Sequence, residues 1–172
     1  MTLFRNILII DSQSPFNGQN KDILVENHII KHIAPPFSVE ITPEMTVVEI
    51  ENACISVGWV DMQVHISEPG LEWKETLAQT EKAAQQGGFT TIVCYPETNP
   101  AADNASVIKV LRNQSKEFGV NCLFTGALTE HKAGKEFSEL YEMHTEKAVA
   151  FTDGLQYPQS AGRGWLFGRH GS

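Results

Sequence analysis

The residues of this chain whose types and spacing most clearly suggest chemistry are Gln63 and His65, which are separated by one residue, Val64. Alternate side chains of a β-strand point to the same face, so both would be directed at one point. Two imidazoles at this spacing could bind one divalent metal ion, whereas the amide oxygen of a glutamine is a weak, uncharged donor for such an ion. His65 is therefore the candidate metal ligand of this strand.

Two flanking segments predict where His65 lies. Residues 55–60 are apolar enough to form a buried strand of an α/β protein, and Glu68-Pro69-Gly70 are turn residues that would end it. This arrangement places His65 at the C-terminal end of a strand. Enzymes built as (β/α)₈ barrels have their active sites at that end.

The sequence pattern changes near residue 56 from short strands to alternating strands and helices. Residues 1–55 contain four short apolar strands and a Pro-rich connection, which indicates a small β module. After residue 56 the alternation predicts parallel strands covered by helices, and hence the α/β class. The predicted strands after residue 65 are 90–95, 121–124 and 149–151, and the predicted helices are 73–86, 105–118 and 137–147.

A series of short motifs follows one order along the chain: residues 58–65, 68–70, 74–76, 87–91, 98–100, 126–129, 134–136 and 148–154. In this order they resemble dihydroorotase, one of the barrel-type, metal-dependent amidohydrolases. The resemblance extends over about residues 1–160 and corresponds to the N-terminal half of such an enzyme. Allantoinases and hydantoinases share the His-x-His pattern of the first strand, so their substrates remain alternatives. The Glu-Pro-Gly turn followed by Gly-Gly-Phe-Thr-Thr is most similar to dihydroorotase.

The resemblance implies an incomplete (β/α)₈ TIM-like barrel of about the first four βα units, preceded by a small β-sandwich segment. The implied bounds are 1–55 for the N-terminal β-sandwich half, 56–161 for the partial amidohydrolase barrel and 162–172 for an atypical tail. A complete barrel typically needs about 250 residues, and this chain has 172. The four glycines among residues 162–172 disfavour a helix there.

The resemblance also implies a hydrolase that opens the cyclic amide of dihydroorotate to N-carbamoyl-aspartate, reversibly, in de novo pyrimidine biosynthesis. Metal ions, with zinc as the expected cofactor, would activate the attacking water because a bound cation lowers its pKa. His65 would be one metal ligand. Asp153 is the second candidate if the family's Phe-Thr-Asp-Asp-Gly segment is aligned on Gly154, whereas without a gap the ligand position is Gly154 itself.

Three residues depart from the family pattern at the implied site. Gln63 replaces a metal-binding His, Ser67 replaces an Arg and Glu97 replaces an Asn, and the last two positions hold the substrate carboxylate in the family. An Arg pairs bidentately with a carboxylate, whereas the charge of a Glu would repel one. These departures predict that the chain by itself is inactive. Two hypotheses follow: a dihydroorotase-like hydrolase, or a non-catalytic dihydroorotase-like subunit that supports aspartate transcarbamoylase.

Composition and charge restrict the partners. The net charge is −8, from 21 acidic and 13 basic residues, and no Lys/Arg cluster indicates a nucleic-acid partner. No apolar run approaches the roughly 20 residues of a membrane helix, and residues 1–6 lack a signal-peptide pattern. We therefore expect a cytoplasmic protein with a small-molecule substrate, as a homo-oligomer or with aspartate transcarbamoylase. The three cysteines, Cys54, Cys94 and Cys122, are too far apart for a metal motif and are expected to be buried, reduced thiols.

Overall fold

The computed structural model of the chain describes residues 1–156. The chain forms two compact units, Met1–Val57 and the part that begins at Gly58. The predicted tail, 162–172, lies outside the described residues. None of the helices among residues 1–156 is long and apolar enough to cross a membrane.

The first unit is a mixed five-stranded sheet. Its strands are β1 (Thr2–Ile10), β2 (Asn20–Glu26), β3 (Ile29–Ala34), β4 (Thr46–Val48) and β5 (Cys54–Ser56). The order is β3-β2-β1-β4, and β5 also pairs with β1. The pairs β1–β2 and β2–β3 are antiparallel, whereas β4 and β5 run parallel to β1. Alternate residues Ile7 and Ile9 of β1 pack with Ile23 in the core of this unit.

A buried carboxylate, that of Asp22, stabilises the first unit. Its oxygens accept hydrogen bonds from the backbone N–H groups of Asn6 (2.9 Å), Phe37 (3.1 Å) and Val39 (3.2 Å). Burial raises the pKa of Asp22, but these donors and the Arg5 guanidinium together hold the pKa below its ordinary value. The interaction connects the loop after β3 to the strands.

The second unit alternates strands and helices. Its strands are β6 (Trp59–Val64), β7 (Phe89–Cys94) and β8 (Asn121–Phe124), and its helices are α1 (Leu77–Gln86), α2 (Ala105–Gln114) and α3 (Leu140–Thr145). A single 3₁₀ turn, Glu130–Lys132, follows β8. The three strands are parallel in the order β6-β7-β8. Beyond β8, Phe151 forms a parallel bridge with Gly126, so a fourth chain segment extends the sheet.

Two side-chain caps define where the longer helices of the second unit begin. Thr76 and Gln79 form a reciprocal capping box at the start of α1. The side-chain oxygen of Asn104 accepts hydrogen bonds from the N–H groups of Ser106 and Val107 at the start of α2. The capped helices pack on the sheet through a common apolar core that includes Leu77, Ile92, Ile108, Leu111, Phe124 and Met143.

Some sequence predictions are wrong in detail. Residues 55–60 do not form one strand, because β5 pairs with β1 in the first unit whereas β6 pairs with β7 in the second. Helix α1 begins at Leu77 rather than at residue 73, since Thr76 caps it, and α2 and α3 are shorter than predicted. Of the three cysteines expected to be buried, Cys94 is buried, Cys122 is half-buried and Cys54 is exposed. Cys54 is the first residue of β5, a strand of three residues whose two ends are exposed.

The loop after β6 packs closely on the loop after β7. The N–H of Asn99 donates to the carbonyl of Pro69 at 2.9 Å. Gly70 has a φ of +95°, and a Cβ at this residue would lie 1.8 Å from the carbonyl oxygen of Asn99. Only glycine fits this backbone and this approach. The Glu-Pro-Gly and Thr-Asn-Pro motifs therefore form one packed pair of loops.

We expect Gly70→Ala to lower the free energy of unfolding of the second unit by about 3 kcal/mol, from left-handed strain plus overpacking. The measurement is urea unfolding followed by tryptophan fluorescence, because Trp59 and Trp73 lie in the second unit. Gly88→Ala is the control, since Gly88 has a φ of +79° and a Cβ added there would meet nothing within 4 Å. It should cost only about 1 kcal/mol. Equal effects of the two substitutions would contradict the packed-loop interpretation.

Candidate functional site

Three ionisable side chains follow the carboxyl ends of parallel strands in the second unit. His65 comes directly after β6, Glu97 follows β7 by three residues, and Asp153 follows the bridge at Phe151 by two. Carboxyl ends of parallel strands meet at one edge of a sheet, which is where ligands bind in α/β folds. The candidate site is therefore this edge.

His65 and Glu97 contact each other directly. Nδ1 of His65 forms a hydrogen bond with Oε2 of Glu97. The side chain of His65 is 53% exposed and that of Glu97 is 27% exposed. The ring of Tyr95 lies beside the imidazole, with centroids 5.7 Å apart and planes inclined by 59°. Sheet pairing positions Tyr95, because its N–H donates to the carbonyl of Val64 at 2.8 Å.

The chain beyond Asp153 closes one side of this contact. Gly154 has a φ of +67°, and a Cβ at this residue would lie 2.9 Å from Oε1 of Glu97. The carboxylate of Glu97 thus lies between the imidazole of His65 and the backbone at Gly154. The fold therefore brings His65, Glu97 and the segment that contains Asp153 together.

Asp153 is buried, with 4% of its surface exposed, and its carboxylate binds the loop after β8. Oδ1 accepts the N–H groups of Leu128 and Thr129, both at 2.9 Å, and Oδ2 accepts the Thr129 hydroxyl at 2.7 Å. The Thr129 hydroxyl oxygen in turn accepts the N–H of Gly134 at 2.8 Å. A buried carboxylate with three donors is fully engaged in holding residues 128–134.

The donors at this edge do not fit a metal centre. Zinc sites use three or four protein ligands, whereas residues 1–156 contain no group of three or more His, Cys, Asp or Glu side chains placed to hold a metal ion. Gln63 has no imidazole, and Asp153 is bonded to the loop. The bond of Nδ1 of His65 to Glu97 leaves the other ring nitrogen for a metal ion, so His65 is one donor of this edge. The assignment of His65 and Asp153 as metal ligands stays a prediction.

Sequence reasoning missed two roles of acidic residues near this edge. It treated Glu97 only as a lost substrate contact, because the contact with His65 depends on the pairing of β6 with β7. It treated Glu68 as a turn residue. In the structure Oε2 of Glu68 accepts the N–H of Leu77 at 2.7 Å and Oε1 accepts from Gln114 at 3.0 Å. A carboxylate at the first turn of α1 is favoured by the helix dipole.

Comparison with known proteins identifies the family. A model of the dihydro-orotase-like family matches residues 53–164, which is more than half of the chain. The chain belongs to the dihydroorotase-like family. It is 37% identical over 152 residues to a dihydroorotase of Aquifex aeolicus, and 39% identical over 132 residues to one of Carboxydothermus hydrogenoformans. These matches cover 88% and 77% of the chain but 35% and 30% of the two relatives. The chain thus spans about a third of the length of the dihydroorotases it matches.

Solved structures support the same mixed α/β fold. An L-hydantoinase from Arthrobacter aurescens superimposes with a TM-score of 0.69 at 21% identity, over 87% of this chain and 32% of that one. A dihydroorotase superimposes with a TM-score of 0.59 at 17% identity, over 87% of this chain and 41% of that one. At these identities the similarity concerns the fold alone.

We expect Asp153→Ala to increase the hydrogen-exchange rates of the Leu128 and Thr129 amides at least tenfold, because both lose their acceptor, a loss of about 1.4 kcal/mol or more. The measurement is amide exchange by NMR. Glu130→Ala is the control on the same loop, since Glu130 is exposed, and it should leave both rates unchanged. Rates that respond to a metal chelator but not to Asp153→Ala would contradict the anchoring role.

Proposed function

We propose that this dihydroorotase-like chain belongs to a hydrolase of cyclic amides that interconverts dihydroorotate and N-carbamoyl-aspartate. The observation that supports this function best is the position of the family motifs. They place His65, Glu97 and Asp153 after the carboxyl ends of parallel strands, at one edge of the sheet. That edge is where barrel enzymes carry out their chemistry.

The proposal includes the architecture expected of the whole protein. The second unit would supply about the first four βα units of a (β/α)₈ barrel, within bounds of 56–161 and before a tail of 162–172. Residues 1–55 would supply half of a β-sandwich. We further propose a cytoplasmic location and a homo-oligomer. Zinc would be the cofactor of the whole protein only with donors beyond those that residues 1–156 bring together.

The residues of this chain would bind an anionic substrate weakly. Ser67 offers no cation where an Arg would form a bidentate pair with a carboxylate. Glu97 adds a carboxylate at the same edge, and a like charge disfavours a second carboxylate there. Its contact with His65 holds that charge at the strand ends. We therefore infer that residues 67 and 97 contribute little to substrate binding, and that the main contribution of this chain is the framework of the site.

One observation supports a second candidate function. The carboxylate of Glu97 is bonded to the imidazole of His65, whereas the dihydroorotase resemblance implies an uncharged Asn at residue 97 that holds the substrate. A non-catalytic dihydroorotase-like subunit that supports aspartate transcarbamoylase would tolerate such a site. In that case the chain would bind aspartate transcarbamoylase, and residues 63, 67 and 97 would have no role in catalysis.

A chimaera tests the proposed function. The part of this chain that aligns with the Aquifex aeolicus dihydroorotase, at 37% identity over 152 residues, would replace the matching segment of that enzyme. We expect Gln63→His, Ser67→Arg and Glu97→Asn together to raise kcat/KM for dihydroorotate hydrolysis at least about 100-fold over the unsubstituted chimaera. The physical reason is that they restore an imidazole and a bidentate guanidinium and remove a like charge.

The control for the first substitution is Gln63→Asn, which keeps an amide and adds no imidazole. When Gln63→Asn is used in place of Gln63→His in the triple variant, residue 63 should contribute nothing to the rise in kcat/KM. A folded, triply substituted chimaera without turnover would contradict the proposed function and favour the second candidate. An unsubstituted chimaera as active as the parent enzyme would contradict both the weak-binding inference and the second candidate.

A further inference from the structure

Tyr95, which directly follows β7, has its side chain on the face of the sheet opposite the helices. Val64 and Cys94, the last residues of β6 and β7, pack in the apolar core with the helices. Pairing of the two strands extends one residue further, because the N–H of Tyr95 donates to the carbonyl of Val64 at 2.8 Å. Successive side chains of a strand alternate between the two faces of a sheet. The side chains of His65 and Tyr95 therefore share the face away from the helices.

The ring of Tyr95 packs among the strand ends, and its hydroxyl is left free. The ring centroid lies 5.7 Å from that of the His65 imidazole, and a Cβ at Gly154 would lie 3.9 Å from Cδ2 of Tyr95. These contacts leave Tyr95 half-buried. Its hydroxyl forms no hydrogen bond with any group of residues 1–156 and is accessible to solvent. Since a phenol donates one hydrogen bond, this edge has an uncharged donor that no group of the described chain uses.

The charges at this edge determine which acceptor suits that donor. The carboxylate of Glu97 is bonded to His65 on the same edge, and residue 67 is a serine, which supplies no cation. A carboxylate of a ligand would be repelled there. The carbonyl oxygen of an amide carries no net charge, and it accepts a hydrogen bond from a hydroxyl. A neutral amide therefore fits the free hydroxyl better than an anion does.

We propose that Tyr95 is a substrate-binding residue whose hydroxyl donates a hydrogen bond to a carbonyl oxygen of a neutral cyclic amide. The inference rests on the proposed function, because it takes a cyclic amide as the ligand of this edge. It adds a contact to that function and restricts the ligand that these residues favour. The chain should bind the ring of dihydroorotate more tightly when the ring lacks its carboxylate.

The test is NMR titration of the full chain, with ¹³C in its tyrosine rings, with dihydrouracil, the ring of dihydroorotate without the carboxylate. In the unmodified chain we expect the Tyr95 ring signals to shift saturably. The Kd of dihydrouracil should be at least fivefold lower than that of dihydroorotate. Tyr95→Phe removes only the hydroxyl and should raise the Kd of dihydrouracil about fivefold, measured from the backbone amide signals, since one neutral hydrogen bond contributes about this much.

The matched control is Tyr141→Phe, because Tyr141 lies on α3 and is 78% exposed. It should leave the Kd of dihydrouracil unchanged. The amide spectrum of each variant reports whether it is folded, and the ring signals of the unmodified chain decide the question if Tyr95→Phe does not fold. Tyr95 ring signals that do not shift saturably would overturn the inference, and so would equal Kd values in the unmodified chain and in folded Tyr95→Phe.

Dihydroorotate bound as tightly as dihydrouracil would also overturn the inference. The failure of this inference is distinguishable from the failure of the proposed function, because the latter is tested by turnover of the chimaera. Turnover by the triply substituted chimaera, together with a Kd that Tyr95→Phe does not change, would overturn only the role of Tyr95.

Discussion

Parallel pairing of β7 with both β6 and β8 is the constraint on which the rest of the second unit depends. It aligns the carboxyl ends of the strands, so residues that are 32 positions apart in sequence, His65 and Glu97, come into contact. The helices do not contribute these side chains. They pack on the sheet through an apolar core. Their N-terminal caps fix the residues at which the loops after β6 and β7 end. The chemistry of this edge is therefore determined by loop residues on a rigid sheet.

Carboxylates near this edge bind groups of the protein itself. Glu68 bonds the start of α1 to α2, Asp153 bonds the loop after β8, and Glu97 bonds His65. Each interaction satisfies an acid that would otherwise be costly to bury or would repel its neighbours. In this dihydroorotase-like chain, the carboxylates therefore fix the loops at the strand ends and are less available as ligands for a metal ion. Gln63 and Ser67 are consistent with these bonds within the protein, since neither side chain carries a charge that would compete for the carboxylates.

Local sequence signals predicted the elements well, and interactions between distant residues account for most of the errors. Strand β8 was predicted at its observed bounds, and helix α2 was predicted at its observed start. The break between β5 and β6 was missed because it depends on pairing with β1 and β7. The start of α1 was an avoidable error, since Thr76 and Gln79 have the spacing of a capping box. No local pattern indicates that Glu97 contacts His65.

Among residues 1–156, His65 bonds Glu97 and Asp153 bonds the loop after β8. We expect that these residues alone do not hold zinc, and zinc binding tests this directly. The measurement is a calorimetric titration of the chain with zinc, followed by metal analysis after dialysis. We expect no saturable binding at micromolar zinc and far less than one retained ion per chain. One retained ion per chain that is lost in both His65→Ala and Asp153→Ala would contradict this expectation.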